Sequence, residues 1–112
     1  MKILAIFTCF NRKELTKRGM ATLSGNRDVT FDYVILDDNS SDGTREMLKQ
    51  MRDDGTYQID LIEGDGSNFW NGGMHKAIEH IKNTHMDYDY YMLMNDDTKF
   101  FPGIFDEMAP HL

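Results

Sequence analysis

Two pairs of adjacent carboxylates, Asp37–Asp38 and Asp96–Asp97, each close an apolar run, "FDYVILDD" and "YDYYMLMNDD". Like charges side by side repel, and a strand end closes more cheaply with Asn, Gly or Ser. Something positive is therefore expected beside Asn95, Asp96 and Asp97. Hard oxygen donors with few thiols or imidazoles suit Mg2+ or Mn2+, not zinc. Such ions take one or two protein carboxylates, and substrate phosphates complete the octahedron. The pattern predicts a cation on Asp96 and Asp97 that neutralises a diphosphate.

Taken singly, each acidic segment has an ordinary explanation. "DDNSSDG" is good capping and turn chemistry, and "NDDT" can cap a following turn. Their conjunction carries the argument, because both pairs end runs that read as buried strands. In a parallel sheet those ends share one rim with Thr8–Arg12, at the end of the first strand, and with a helix start near Gly72.

The elements that must position these residues can be read along the chain. "KILAIFTCF" is a continuous apolar run, as in a strand covered on both faces. "KELTKRGMATL" puts Leu15, Gly19, Thr22 and Leu23 at helical spacing. "FDYVILDD" is a second buried strand, and "NSSDGTREMLKQMR" a helix with caps at Asn39–Asp42 and an apolar face of Met47, Leu48 and Met51. "YQIDLIE" is a shorter strand and "GDGSNFWNGG" a glycine-rich loop. In "GMHKAIEHIKN", Met74, Ala77, Ile78 and Ile81 mark one helix face, and "YDYYMLMN" is a fourth buried strand.

This alternation predicts an α/β fold, Rossmann-like in plan, with a mostly parallel sheet and helices on both faces. Ligands of such sheets sit beyond the carboxyl ends of the strands, where the strand order switches. "TKFFPGIFDEMAPHL" leaves room for a turn and one short helix, so the sheet reads as incomplete. Nine Met and several aromatic residues leave apolar surface for self-association, for a partner or for a missing half.

A chain of 112 residues, 40% hydrophobic and 28% charged, supports one globular domain with a modest core. Its net charge of -7, with 19 acidic against 12 basic residues, argues against nucleic acid or an anionic membrane as main partner. A small anionic ligand then requires the site to bring its own positive charge. Cys9 is the only cysteine, which excludes an internal disulfide and favours a reducing, cytoplasmic setting. No run approaches the ~18–20 apolar residues of a membrane span.

"ILAIFTCFNR", "VILDDNSSDGT", "GSNFWNGGMHKAI" and "YMLMNDDT" stand in the order and spacing of the family 2 glycosyltransferases with the GT-A fold. The chain resembles the nucleotide-sugar-binding part of such an enzyme, with residues 1–112 as one truncated domain. "NFWNGGMHKAI" is similar to the glycine-pair segment of rhamnosyltransferase-like and galactofuranosyltransferase-like members. The resemblance implies metal-dependent binding of a UDP- or dTDP-sugar and inverting transfer to the hydroxyl of an acceptor glycan or lipid-linked sugar. Polysaccharide biosynthesis in the cytoplasm, or at the inner face of the membrane, is the implied setting.

Site residues carry over by position. Thr8, Phe10 and Asn11 match the part that frames the base, and Asp38 the acid that hydrogen-bonds it; Asp37 reads as structural. Asn95, Asp96 and Asp97 match the DXD-type motif, with Asp96 near the ribose and Asp97 on the Mn2+ or Mg2+ that bridges the diphosphate. Gly72 and Gly73 match the pair that lets backbone approach the donor. The chain departs from the pattern at Asn95, at Met74 in a basic position and at His75 in place of Asn. The family's catalytic carboxylate base lies downstream of Leu112, so no residue here is assigned that role.

Other features carry less. His75, His80 and His85 are five residues apart, which turns each about 140° from the last on a helix and off a shared face. Trp70 either stacks on a base or sugar or anchors its loop on the core. "GDG" at Gly64–Gly66 lacks the Lys and Ser/Thr of a phosphate-cradling loop. A non-catalytic nucleotide-sugar-binding remnant or split partner is the alternative function. A phospho-acceptor receiver domain is disfavoured, because its acidic pair follows the first strand and "TCFN" contains no acid.

Overall fold

The computed structural model describes residues 1–84 and 87–112. The chain runs β1 (Lys2–Cys9), α1 (Lys13–Leu23), β2 (Thr30–Asp37), α2 (Thr44–Asp53), β3 (Ile59–Glu63), α3 (Phe69–Thr84), β4 (Tyr90–Leu93) and α4 (Ile104–Met108), with a closing 3-10 turn at Ala109–His111. The strands form one sheet in the order β3-β2-β1-β4, and every neighbouring pair is parallel. From β1 the chain winds outward through β2 to β3, then crosses back to place β4 on the other side. The order therefore switches between β1 and β4, where α/β sheets open a crevice at their carboxyl ends.

The unbroken apolar run of β1 follows from its two covered faces. Ile3, Ala5, Phe7 and Cys9 join Tyr33 and Ile35 of β2 in a layer with Met20 and Leu23 of α1, Leu48 of α2 and Phe105 of α4. Leu4, Ile6 and Val34 turn the other way, onto Met74, Ala77 and Ile81 of α3. Alternate side chains point to opposite faces, so one strand feeds both layers.

α1 spans the expected residues, and its Gly19 makes a close contact. A Cβ there would lie 2.9 Å from the Thr98 carbonyl oxygen and 3.1 Å from that of Asp96. The helix thus lies directly against the backbone of the second acidic segment.

Two expectations need correction. β4 is not buried: Tyr90, Tyr91 and Leu93 are 40%, 46% and 53% exposed, and burial begins only at Met94, just past the strand. Among the described residues no strand lies beyond β4, so it is a sheet edge. An apolar run encodes strand propensity and not a place in the sheet.

The third helix starts at Phe69, ahead of the glycine pair, so Gly72 falls inside its first turn. The cause is remote in sequence. The Asp38 carboxylate accepts the N–H groups of Asn68 and Phe69, at 3.0 and 3.3 Å, which a helix start otherwise leaves unpaired.

Candidate nucleotide-sugar site

The two carboxylates after β2 do different work. Asp37 is fully buried. Its Oδ2 accepts the Arg45 Nε–H at 2.8 Å and the Ser40 N–H at 3.1 Å, and its Oδ1 accepts the Ser40 hydroxyl at 2.6 Å. Arg45 also donates through Nη2 to the carbonyls of Asp37 and Gly64, tying α2 to the ends of β2 and β3. Asp37 belongs to the scaffold.

Asp38 is 7% exposed and faces the opening. Its oxygens accept four hydrogen bonds: Gly66 N–H at 2.9 Å and Asn68 Nδ2 at 2.7 Å on Oδ1, with Asn68 and Phe69 N–H on Oδ2. Burial alone would push this carboxyl up. The donors from Asn68, Gly66 and Phe69 outweigh it and hold Asp38 below the ordinary carboxylate range.

Three non-glycine residues with positive φ stand on the same rim. Asn11 (φ 52°) follows β1, Asn39 (φ 65°) follows β2, and Phe69 (φ 53°) opens α3. Asn tolerates the left-handed region, whereas a bulky aromatic there is held by its surroundings. For Phe69 the holding contact is its N–H on Asp38. Phe69 is 82% exposed beside the cavity.

After β4, Asp96 and Asp97 face the turn that follows β1. Arg12 Nη1 lies 2.9 Å from Asp97 Oδ2 and 3.8 Å from Asp96 Oδ1. The Asp96 side chain is 11% exposed and that of Asp97 44%. Burial pushes the Asp96 carboxyl up; Arg12 pulls it down, the Asp97 charge pushes it further up, and the net direction is upward. The positive charge expected at this acidic pair is thus supplied in part by the protein.

Between these elements lies an open cavity of about 400 Å³, within the size range of small-molecule sites. Thr8, Phe10, Asp38, Asp96 and Asp97 line it, together with Asn95. Asn11, Gly72 and Gly73 do not. The Asn11 side chain instead accepts the Ser41 N–H at 2.7 Å, joining the turns after β1 and β2. Gly73 lets α3 pack on β1, since a Cβ there would come within 2.5 Å of Thr8 Cγ2.

Arg12, placed on the rim by sequence but given no role there, and Phe69, not singled out, also line the cavity. Arg12 had a usable signal, because it directly follows the first strand in "CFNR". Phe69 had none, since its placement depends on the distant Asp38. Trp70 lines the cavity with its side chain about half exposed and does not anchor in the core.

Among the described residues no group of three or more His, Cys, Asp and Glu could hold a metal ion. Asp96 and Asp97 still fit Mg2+ or Mn2+, which take one or two protein carboxylates and draw their other ligands from phosphate and water. Of the histidines, His80 Nε2 pairs with Asp60 Oδ2 at 2.7 Å, His75 is exposed, and His85 lies outside the described residues.

The Glycosyl transferase family 2 model matches residues 5–112. No curated protein matches in sequence. Solved structures similar in fold include S. aureus TarS 1-349 in complex with UDP-GlcNAc, with a TM-score of 0.77 at 16% identity over 98% of this chain and 30% of that one. Another is the mannosyltransferase PcManGT from Pyrobaculum calidifontis in complex with GDP-Man and Mn2+, with a TM-score of 0.69 at 16% identity over 88% of this chain and 28% of that one. The parallel sheet and its flanking helices are those of a GT-A fold. The chain belongs to glycosyl transferase family 2. It spans less than a third of the length of either solved structure.

Proposed function

We propose that this chain binds the nucleotide diphosphate of a sugar donor, with Mn2+ or Mg2+, as the donor-binding part of a glycosyltransferase. The observation that carries the reading is the cavity at the β1/β4 switch point, where Asp38, Asp96 and Asp97 share one lining with exposed Phe69 and Trp70. TarS with UDP-GlcNAc and PcManGT with GDP-Man and Mn2+ support it as similar folds with such ligands.

In this reading Thr8, Phe10 and the rim held by Asp38 frame the base, and the donor is a UDP- or dTDP-sugar. Phe69 and Trp70 offer flat apolar faces to a base or sugar ring. Asp97 would hold the metal, with Asp96 beside it toward the ribose. When bound, the ion supplies positive charge against the departing diphosphate.

The reaction is displacement at the anomeric carbon. The acceptor oxygen forms the new glycosidic bond, the bond to the diphosphate oxygen breaks, and configuration inverts. The acceptor hydroxyl's proton goes to a carboxylate base, a role assigned to no residue of 1–112. An acceptor glycan or lipid-linked sugar, used at the cytoplasmic side, fits this chemistry.

Calorimetric titration of UDP and dTDP, in Mn2+ and in a chelator, tests the reading. Metal-dependent binding in the micromolar to sub-millimolar range is expected. Equal binding with and without metal would remove the metal from the site, and binding of neither nucleotide would remove the donor.

A further inference from the structure

Two arginine–aspartate contacts of opposite character stand at the carboxyl end of the sheet. Arg45 is locked: its side chain is 18% exposed, Asp37 beneath it is fully buried, and its guanidinium also donates to two backbone carbonyls. Arg12 is held at one point. Its side chain is 49% exposed and among the described residues makes one hydrogen bond, to Asp97, while Asp96 stands beyond hydrogen-bonding distance at 3.8 Å. The backbone beneath is fixed, because the Arg12 carbonyl accepts the Thr16 N–H at 2.8 Å in the first turn of α1. Only the side chain needs to move.

Among the described residues Arg12 is also the one basic residue lining the cavity, in a chain of net charge -7. A guanidinium fork suits carboxylate and phosphate alike. We propose that Arg12 is an exchangeable counter-ion: it neutralises Asp96 and Asp97 before a divalent cation binds, and transfers to the diphosphate once the cation takes the carboxylates. This inference rests on the cation–diphosphate reading above and adds a diphosphate-binding role for Arg12. A divalent ion and Arg12 compete for the same oxygens in the empty site. They cooperate once a diphosphate provides new acceptors.

The test uses Arg12→Gln and Arg12→Lys, with folding checked by circular dichroism. Free Mn2+ is followed by electron paramagnetic resonance without nucleotide, and UDP binding in Mn2+ by calorimetry. For Arg12→Gln, Mn2+ alone should bind about threefold to fivefold more tightly, the scale of releasing an exposed ion pair. UDP in Mn2+ should bind at least tenfold more weakly. Arg12→Lys, which keeps the charge and loses the fork, should lie between wild type and Arg12→Gln in both readouts.

No gain in Mn2+ binding by Arg12→Gln overturns the exchange, as does unchanged UDP affinity. Asp97→Asn separates the two levels of failure. If Asp97→Asn leaves Mn2+ binding intact, the metal assignment falls and the exchange with it. If Asp97→Asn removes Mn2+ binding while Arg12→Gln changes nothing, the role of Arg12 falls alone.

Discussion

Gly73 of α3 faces Thr8 of β1 so closely that a Cβ on the glycine would lie 2.5 Å from Thr8 Cγ2 and 3.3 Å from its Cβ. Thr8 is β-branched and stiff about χ1, so it cannot simply rotate aside. Two effects oppose each other in Gly73→Ala. Helix propensity gains about 1 kcal/mol, while overpacking costs about 1–3 kcal/mol. The clash should win, giving a net loss of about 1 kcal/mol in urea denaturation. Adding Thr8→Ala should restore stability, and additive behaviour in the double variant would show that the two residues do not collide.

Asp38→Ala should cost stability as well as nucleotide affinity, because four donors lose their acceptor. The loss should be about 2–3 kcal/mol in chemical denaturation, the cost of leaving buried donors unpaired. The folded-state pKa of Asp38 is depressed. Its contribution is therefore fully present above the unfolded carboxylate pKa and is lost as pH falls through the lower folded value. The stability gap between wild type and Asp38→Ala should narrow only toward that acid extreme; a gap that closes near neutral pH would contradict the bonding pattern.

Asp97→Ala should abolish metal-dependent nucleotide binding and leave the fold intact. Its side chain is 44% exposed and contacts Arg12, which is itself half-exposed, so little packing is lost. Calorimetry in Mn2+ checks the first half and far-ultraviolet circular dichroism the second. Normal nucleotide affinity in Mn2+ would move the metal elsewhere.

Asp96→Asn should raise the Tm of the nucleotide-free chain at neutral pH. The wild-type carboxyl is pushed up by burial, and the Asp97 charge adds to that against Arg12. Ionised Asp96 thus opposes folding. The gain is fully present above the raised folded-state pKa and disappears as pH falls from there to the ordinary carboxylate range of the unfolded chain. A Tm that falls at neutral pH would mean that the contact with Arg12 outweighs burial.

Much of this architecture was legible because local chemistry decided it. The apolar runs of β1 and β2 reflect two covered faces, and α1 follows from the spacing of its packed face. The acidic ends of β2 and β4 were legible as a rim because a parallel α/β order puts all strand ends on one side. Three features were not legible, each for a tertiary reason. α3 begins early because Asp38 caps it from the end of β2. β4 lies at an edge, which its Tyr-rich run does not encode. Arg12 meets Asp97 only through the crossover that sets β4 beside β1, a contact between residues 85 apart in sequence.

That crossover has a kinetic consequence. The cavity is flanked by the pairing of β1 with β4, which joins segments far apart in sequence: the Lys2 N–H reaches Asp89 across 87 residues. Contacts of such sequence separation pay their loop-closure entropy before any pairing rewards it, and they form slowly. β1 and β2 pair over eight residues in register, whereas β1 and β4 share four. The acidic rim should therefore form late in folding, and amide exchange should be faster along β4 than along β1 and β2. Donor binding, by bridging the β1 turn to the β4 turn, would act as a clasp on the weakest seam of the sheet.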